Sequence, residues 1–151
     1  MLFLIVGVIY DRTHSRQISD FRGLFGKMPV YTLTVAIAFF GALGLPALSG
    51  FIGEFFTLMG AFQTHLFPNW VALLGSLGII LSAVYFLWTF QRMFLGEFKT
   101  KSEIADKLTD LDTREVIMLF ALALLVVMFG VFPNLLFDVT NETVSYLLTR
   151  F

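Results

Sequence analysis

The sequence predicts an all-α integral membrane protein, because of its composition and the distribution of its charges. Hydrophobic residues make up 58% of the 151-residue chain and the mean hydropathy is +0.85, whereas soluble globular domains are roughly 45–50% apolar. The charged residues cluster and leave three uncharged runs, at 28–53, 55–91 and 116–137. Each run exceeds the roughly 18 apolar residues that indicate a membrane helix. Because hydrocarbon offers no partners to backbone polar groups, we expect the spans to be helices.

The first segment, residues 1–10, is apolar but would extend only about 15 Å as a helix, half of a hydrocarbon core of roughly 30 Å. It lacks the basic region and the cleavage site of a signal peptide. We therefore expect the end of a transmembrane helix whose beginning is missing. On this interpretation residues 1–151 are a single membrane-domain fragment of a longer protein.

The segment 28–65 would be about 57 Å long as one helix, too long for a single straight crossing. If it crosses once, with a break, nine of the ten Lys and Arg residues fall on one side of the membrane. If it crosses twice, these residues divide nearly evenly. The positive-inside tendency favours one broken crossing and places the charged loops 11–27 and 96–114 on the cytoplasmic side.

Two further spans are predicted after this segment. Residues 69–94 form one transmembrane helix, and residues 115–133 form another that ends near Pro133. The stretch between them, 97–115, carries mixed charge without helical amphipathy, which is most simply a solvated loop. The periplasmic tail, 134–151, is expected to be either a short interfacial helix or a frayed terminus.

The stretch from Gly44 to Glu54, GLPALSGFIGE, predicts a break inside the second crossing. Pro46 removes a backbone donor and clashes with the preceding turn, while Gly44, Gly50 and Gly53 tolerate non-helical dihedrals. Freed backbone groups survive at membrane depth only where protein buries them or where water lines a cavity. The break therefore indicates a polar site inside a helix bundle.

Glu54 is the candidate proton-transfer residue, because it is the one acid in a long uncharged region. It follows the break near the predicted start of a second half-helix, whose positive dipole end stabilises an anion. An ionised acid at the centre of a membrane helix costs on the order of 2–3 kcal/mol, so such residues usually mark an ion or proton path. The alternatives are a static ion pair with Lys or Arg on another helix, or a cap of the half-helix.

Metal and cofactor sites are not predicted on this chain. It contains no cysteine that could hold an iron–sulfur cluster, its two histidines, His14 and His65, are far apart in sequence, and no Gly-rich nucleotide loop is present. His65 is expected to be a loop residue rather than a proton relay. Arg92, at the end of its helix, is expected to extend its side chain to the lipid headgroups.

Three motifs carry a family resemblance: YDRTHSR at 10–16, the Glu54-bearing stretch, and the Arg114-Glu115 pair that opens the last span. Together they resemble the subunit M family of bacterial NADH-quinone oxidoreductase, the counterpart of subunit 4 of mitochondrial complex I. The resemblance implies the C-terminal part of an antiporter-like bundle of fourteen helices in a bacterial plasma membrane. Residues 1–10 would then end the eleventh helix and 28–65 would form the discontinuous twelfth.

The resemblance also implies a function. The chain would be a membrane-arm subunit of a proton-pumping NADH:quinone oxidoreductase, and Glu54 would be the terminal site of its half-channel. NADH, FMN, iron–sulfur clusters and quinone would bind partner subunits, and the chain would contact those subunits and lipid but no nucleic acid. The family's earlier proton-path residues have no counterpart here, so pumping by this chain alone is not expected. Two alternatives are a subunit of a multisubunit cation/proton antiporter and an inert structural fragment.

Overall fold

The computed structural model describes residues 1–64, 68–100 and 102–149. These residues form helices joined by turns, which confirms the predicted all-α class. The α-helices are α1 Leu2–Thr13, α2 Pro29–Ala42, α3 Ser49–Gln63, α4 Asn69–Phe94, α5 Ser102–Ala105, α6 Thr113–Val131 and α7 Asn134–Leu148, and two short 3₁₀ turns lie at Ile18–Asp20 and Leu24–Gly26. His65 lies outside the described residues.

Two of these helices, α4 with 26 residues and α6 with 19, are long and apolar enough to cross a membrane. Most of their side chains face outward from the chain, since only 6% and 17% of their most apolar windows are buried. By contrast, α2 and α3 have 14 and 15 residues, so each alone extends only about 21–23 Å, short of a core of roughly 30 Å. That the two together make one discontinuous crossing, as the sequence indicates, stays a prediction.

The buried core lies at the end of the bundle that carries the charged segments. It joins α1, the first turns of α2, the end of α4 and the start of α6, and its most deeply buried members are Phe21, Leu24, Met28, Tyr31, Val35, Phe94, Leu108 and Leu119. Tyr31 also donates a hydrogen bond from its hydroxyl to the carbonyl of Ile5 (2.9 Å), so α1 and α2 are joined inside this core.

The stretch 97–115 is more ordered than a solvated loop, so that expectation is wrong for part of it. Leu108 is 1% exposed and belongs to the core, and the Asp110 side chain bonds to the start of α2. The mixed charge of this stretch suggested that it is solvated. Hydropathy averages over the stretch and does not show that a single apolar residue within it, here Leu108, is buried. The tail is helical over Asn134–Leu148, and its location in the membrane interface stays a prediction.

Candidate functional site

The break between α2 and α3 begins with a turn at the end of α2 that depends on glycine. Gly44 takes a left-handed conformation (φ 68°). The Leu45 amide donates to the Phe40 carbonyl at 3.1 Å, and the Gly44 amide to the Gly41 carbonyl at 3.4 Å. These 6→1 and 5→2 bonds form a Schellman motif with Gly44 at its left-handed position. The helix therefore ends before Pro46, which cannot continue it.

The break continues through a second left-handed residue, Ala47, with φ 73°. This conformation costs a non-glycine residue roughly 1–3 kcal/mol and persists only where the surroundings hold it. Helix α6 supplies that support, because Gly130 packs directly on the backbone of Ala47 and Leu48 and a Cβ at Gly130 would overlap them. Helix α6 thus covers one side of the non-helical backbone, while Leu45, Pro46 and Ala47 stay exposed in this chain.

The Glu54 carboxyl folds back onto the break. A Cβ added at Gly44 would overlap the Oε2 atom of Glu54, so the side chain and the left-handed residue are in close contact. Glu54 itself is half-buried. Position 44 thus requires glycine for two independent reasons, a positive φ and the space that the carboxyl occupies.

Glu54 lies deeper in its helix than the sequence indicated. Helix α3 begins at Ser49, so Glu54 is past the first turn, which contains no acid. The dipole effect falls off within that turn, so the expected stabilisation by the start of the half-helix is largely absent. Across residues 1–64, 68–100 and 102–149, Glu54 makes no ion pair or hydrogen bond. A static partner of the kind left open above would have to come from outside these ranges.

The four residues predicted to break the helix divide into two pairs. Gly44 and Pro46 lie in the break, whereas Gly50 and Gly53 lie inside α3, so the predicted role of the latter two is wrong. Gly50 has a packing role instead, because a Cβ there would overlap the carbonyl oxygen of Gly41. A Cβ at Gly53 would meet nothing within 4 Å. Glycine tolerates a break without requiring one, and sequence cannot separate these two uses.

A second polar cluster, which sequence analysis missed, joins α1 to the start of α6. The Arg12 guanidinium in α1 donates to both carboxylate oxygens of Glu115 in α6, at 3.1 Å and 2.6 Å. It also donates to Thr109 Oγ1 and to the Asp110 carbonyl, both at 3.2 Å. We call Arg12, Thr109, Asp110 and Glu115 the Arg12 cluster. Two of its members lie in the family motifs quoted above, but spacing alone does not pair residues so far apart.

The Arg12 cluster also caps α2 from another segment. The Asp110 carboxylate accepts from the Val30 amide (3.1 Å) and the Tyr31 amide (3.0 Å). The first amides of a helix have no partner inside the helix, and α2 has no side-chain cap of its own. One acid of the 97–115 stretch thus provides the cap that the local sequence lacks.

No group of three or more His, Cys, Asp or Glu residues suited to a metal ion occurs among the residues that the structure describes. The half-buried carboxyl of Glu54 beside a supported helix break is therefore the candidate site. The role of this carboxyl in proton transfer stays a prediction.

Comparison with known proteins agrees with the motif resemblance. The family described as "NADH:quinone oxidoreductase/Mrp antiporter, TM" matches residues 1–82. Over 150 residues the chain is 41% identical to NADH-quinone oxidoreductase subunit M of Rhodobacter capsulatus. The aligned region covers 99% of this chain and 28% of that protein. The chain is 37% identical over 147 residues to NADH-ubiquinone oxidoreductase chain 4 of Marchantia polymorpha, covering 97% and 29%.

A solved structure shows the same arrangement of helices. Respiratory complex I from Thermus thermophilus with bound NADH contains a chain that is 37% identical, with a TM-score of 0.77, over 87% of this chain and 26% of the other. These similarities confirm the family resemblance inferred from the motifs. The chain spans less than a third of the length of the curated relatives it matches.

Proposed function

Because the chain belongs to the NADH:quinone oxidoreductase/Mrp antiporter transmembrane family, we propose that it is the C-terminal part of a membrane-arm subunit of a proton-pumping NADH:quinone oxidoreductase. In that assembly it contributes the terminal part of a proton-translocation path. The names of its relatives support the oxidoreductase assignment. The observation that carries the proton path is the contact between the Glu54 carboxyl and Gly44 at the break between α2 and α3.

The proposed mechanism follows from the chemistry of a half-buried acid. Glu54 accepts a proton from one side of the path and passes it on to the other, the role that acids within membrane helices usually have. The break gives the carboxyl non-helical backbone as polar surroundings within an otherwise apolar span. Gly44 fixes where the carboxyl sits, and Gly130 of α6 holds the break in place.

The redox groups belong to partner subunits in this proposal. The chain has no cysteine to ligate an iron–sulfur cluster, and the proposal assigns NADH, FMN and quinone to other chains of the complex as well. The partners of this chain in the proposal are the other membrane-arm subunits and the lipid bilayer. In the proposed topology the protein lies in the bacterial plasma membrane, with residues 11–27 and 96–114 cytoplasmic and the C-terminus periplasmic, as the distribution of Lys and Arg favours.

The test of this function is Glu54→Gln in the full-length subunit within the assembled complex. We expect NADH-driven proton pumping into membrane vesicles to fall severalfold, because glutamine cannot carry the proton. The matched control is Glu142→Gln, since Glu142 is an exposed acid of α7 and its substitution should leave pumping unchanged. Wild-type pumping by an assembled Glu54→Gln complex would rule out this role.

The family name also includes Mrp antiporters, which makes a subunit of a multisubunit cation/proton antiporter the second candidate. Purification of the chain with its natural partners distinguishes the two functions. Flavin and iron–sulfur absorbance in the purified assembly would support the oxidoreductase. Sodium-dependent proton exchange in an assembly that lacks these chromophores would support the antiporter.

A further inference from the structure

A basic cavity of about 640 Å³ lies away from Glu54, at the charged end of α4. The 3₁₀ turn at Ile18–Asp20 and the residues after it form one wall, and the last turns of α4 with the following segment form the other. Three of its lining residues are cations: Arg22, Arg92 and Lys99. We call this cavity the basic pocket.

Backbone contacts hold the two walls of the basic pocket together. The Lys99 amide donates to the Arg22 carbonyl at 3.3 Å, and the Arg22 amide to the Thr100 hydroxyl at 3.4 Å. Gly23, with φ 70°, lies so close to the backbone of Glu97 that a Cβ there would overlap it. The two segments are therefore held together by contacts between positions almost 80 residues apart.

The basic pocket lies where the apolar run of α4 ends. Arg92 is the first charged residue after the uncharged run 55–91, and its guanidinium carbon lies 5.0 Å from the centre of the Trp88 ring. Trp88 and Leu95 also line the cavity, and about half of each side chain is exposed. Tryptophan and arginine at the end of a membrane helix are typical of the headgroup level of a bilayer.

Among the residues that the structure describes, one cation of the pocket has an acidic partner. The Glu97 carboxylate pairs with Lys99 at 3.1 Å, and both side chains are well exposed. Asp20 is buried and accepts from the Ser15 hydroxyl at 2.7 Å. Within the described ranges, Arg22 and Arg92 form no ion pair. Two guanidinium groups, each able to bind a phosphate through two hydrogen bonds, thus face one cavity.

We propose that the basic pocket binds the phosphate of an anionic phospholipid, with Arg22 and Arg92 contacting the phosphodiester and Trp88 and Leu95 contacting the start of the acyl chains. Inorganic phosphate offers the same anionic chemistry to the two arginines. The apolar half of the lining favours the lipid, because free phosphate would gain nothing from Trp88 and Leu95. Basic pockets between membrane helices are a general mode of binding anionic headgroups.

Tryptophan fluorescence tests the proposal without changing a cation of the pocket. The chain has two tryptophans, Trp70 and Trp88, at opposite ends of α4. The test uses the full-length protein with Trp70→Phe and with Trp88 as its one tryptophan, reconstituted in phosphatidylcholine vesicles. Brominated phosphatidylglycerol should quench the fluorescence of Trp88 at a mole fraction about tenfold lower than brominated phosphatidylcholine requires. The matched variant, with Trp88→Phe and Trp70 retained, should show no such preference. Equal quenching of Trp88 by the two lipids would overturn the proposal.

Substitution of the arginines supplies the second test. Arg22→Gln combined with Arg92→Gln should abolish the preference for phosphatidylglycerol, and the double lysine variant should keep most of it. The control is Lys27→Gln combined with Lys107→Gln, two exposed cations outside the pocket. An equal loss in the control would show attraction by overall charge and overturn the pocket. Displacement of the lipid by millimolar inorganic phosphate at constant ionic strength would overturn the assignment to lipid.

Discussion

The guanidinium of Arg12 and the carboxylate of Glu115 form a two-point ion pair across 103 positions of sequence, with the shorter contact at 2.6 Å. Their side chains are 11% and 25% exposed, so water screens the pair only in part. The pair joins the end of α1 to the first turn of α6, where Glu115 also closes a capping box with Asp112. One acid thus serves both a helix start and a contact between helices.

Glu115→Gln should lower the free energy of unfolding by about 1–2 kcal/mol, because a charged hydrogen-bonded partner of Arg12 is lost. Glutamine can keep the capping box, so the change isolates the ion pair. The measurement is unfolding in mixed detergent micelles, followed by circular dichroism. Glu97→Gln is the control, since its pair with Lys99 is exposed and its loss should cost between 0 and about 1 kcal/mol. Equal effects of the two substitutions would contradict the prediction.

Asp110→Ala should loosen the start of α2, because the carboxylate accepts the amides of Val30 and Tyr31. The loss of a capping side chain costs about 0.5–2 kcal/mol. Hydrogen exchange of these two amides should accelerate, while the centre of α4 should be unchanged. The exposed Asp106, removed by Asp106→Ala, provides the control. Unchanged exchange at Val30 and Tyr31 in Asp110→Ala would show that the cap contributes nothing.

Gly44→Ala and Gly53→Ala should have opposite effects, although both glycines belong to the same motif. At position 44 the backbone has a positive φ, which strains alanine, and the added Cβ would overlap the Glu54 carboxyl. We therefore expect the free energy of unfolding to fall by more than about 1 kcal/mol and proton pumping by the assembled complex to be impaired. At position 53 the backbone is helical and the space is open. There alanine should stabilise by about 0.5–1 kcal/mol. Similar effects at the two positions would argue against the close contact of Gly44 with Glu54.

The proposed topology can be measured directly, since the chain has no cysteine. Single cysteines at the exposed positions Asp11, Asp106 and Ser145 should divide into two groups when intact cells are treated with a membrane-impermeant maleimide. We expect labelling of Ser145→Cys and protection of the other two variants until the membrane is opened. Labelling of all three in intact cells would contradict the orientation inferred from the positive charges.

Much of the fold could be predicted because its signals are local in sequence. A run of apolar residues without charge indicates a span whatever surrounds it, and Pro46 with Gly44 ends a helix through its own backbone geometry. The interpretation was least accurate where glycines and acids act through distant neighbours. Gly50 and Gly53 suggested that the break extends through both of them, whereas it ends at Leu48 and both glycines lie in α3. The 97–115 stretch suggested a solvated loop, whereas its Leu108 belongs to the core.

The sequence by itself determined the membrane class, the break after α2 and the acid that follows it, because hydropathy, charge and backbone restrictions are properties of neighbouring residues. Only the tertiary structure decided that the Glu54 carboxyl lies against Gly44, that Gly130 supports the break, and that Asp110 caps α2. It likewise decided the pairing of Arg12 with Glu115. These contacts join residues from separate helices or turns, and their distances depend on how the helices pack rather than on any local preference of the chain.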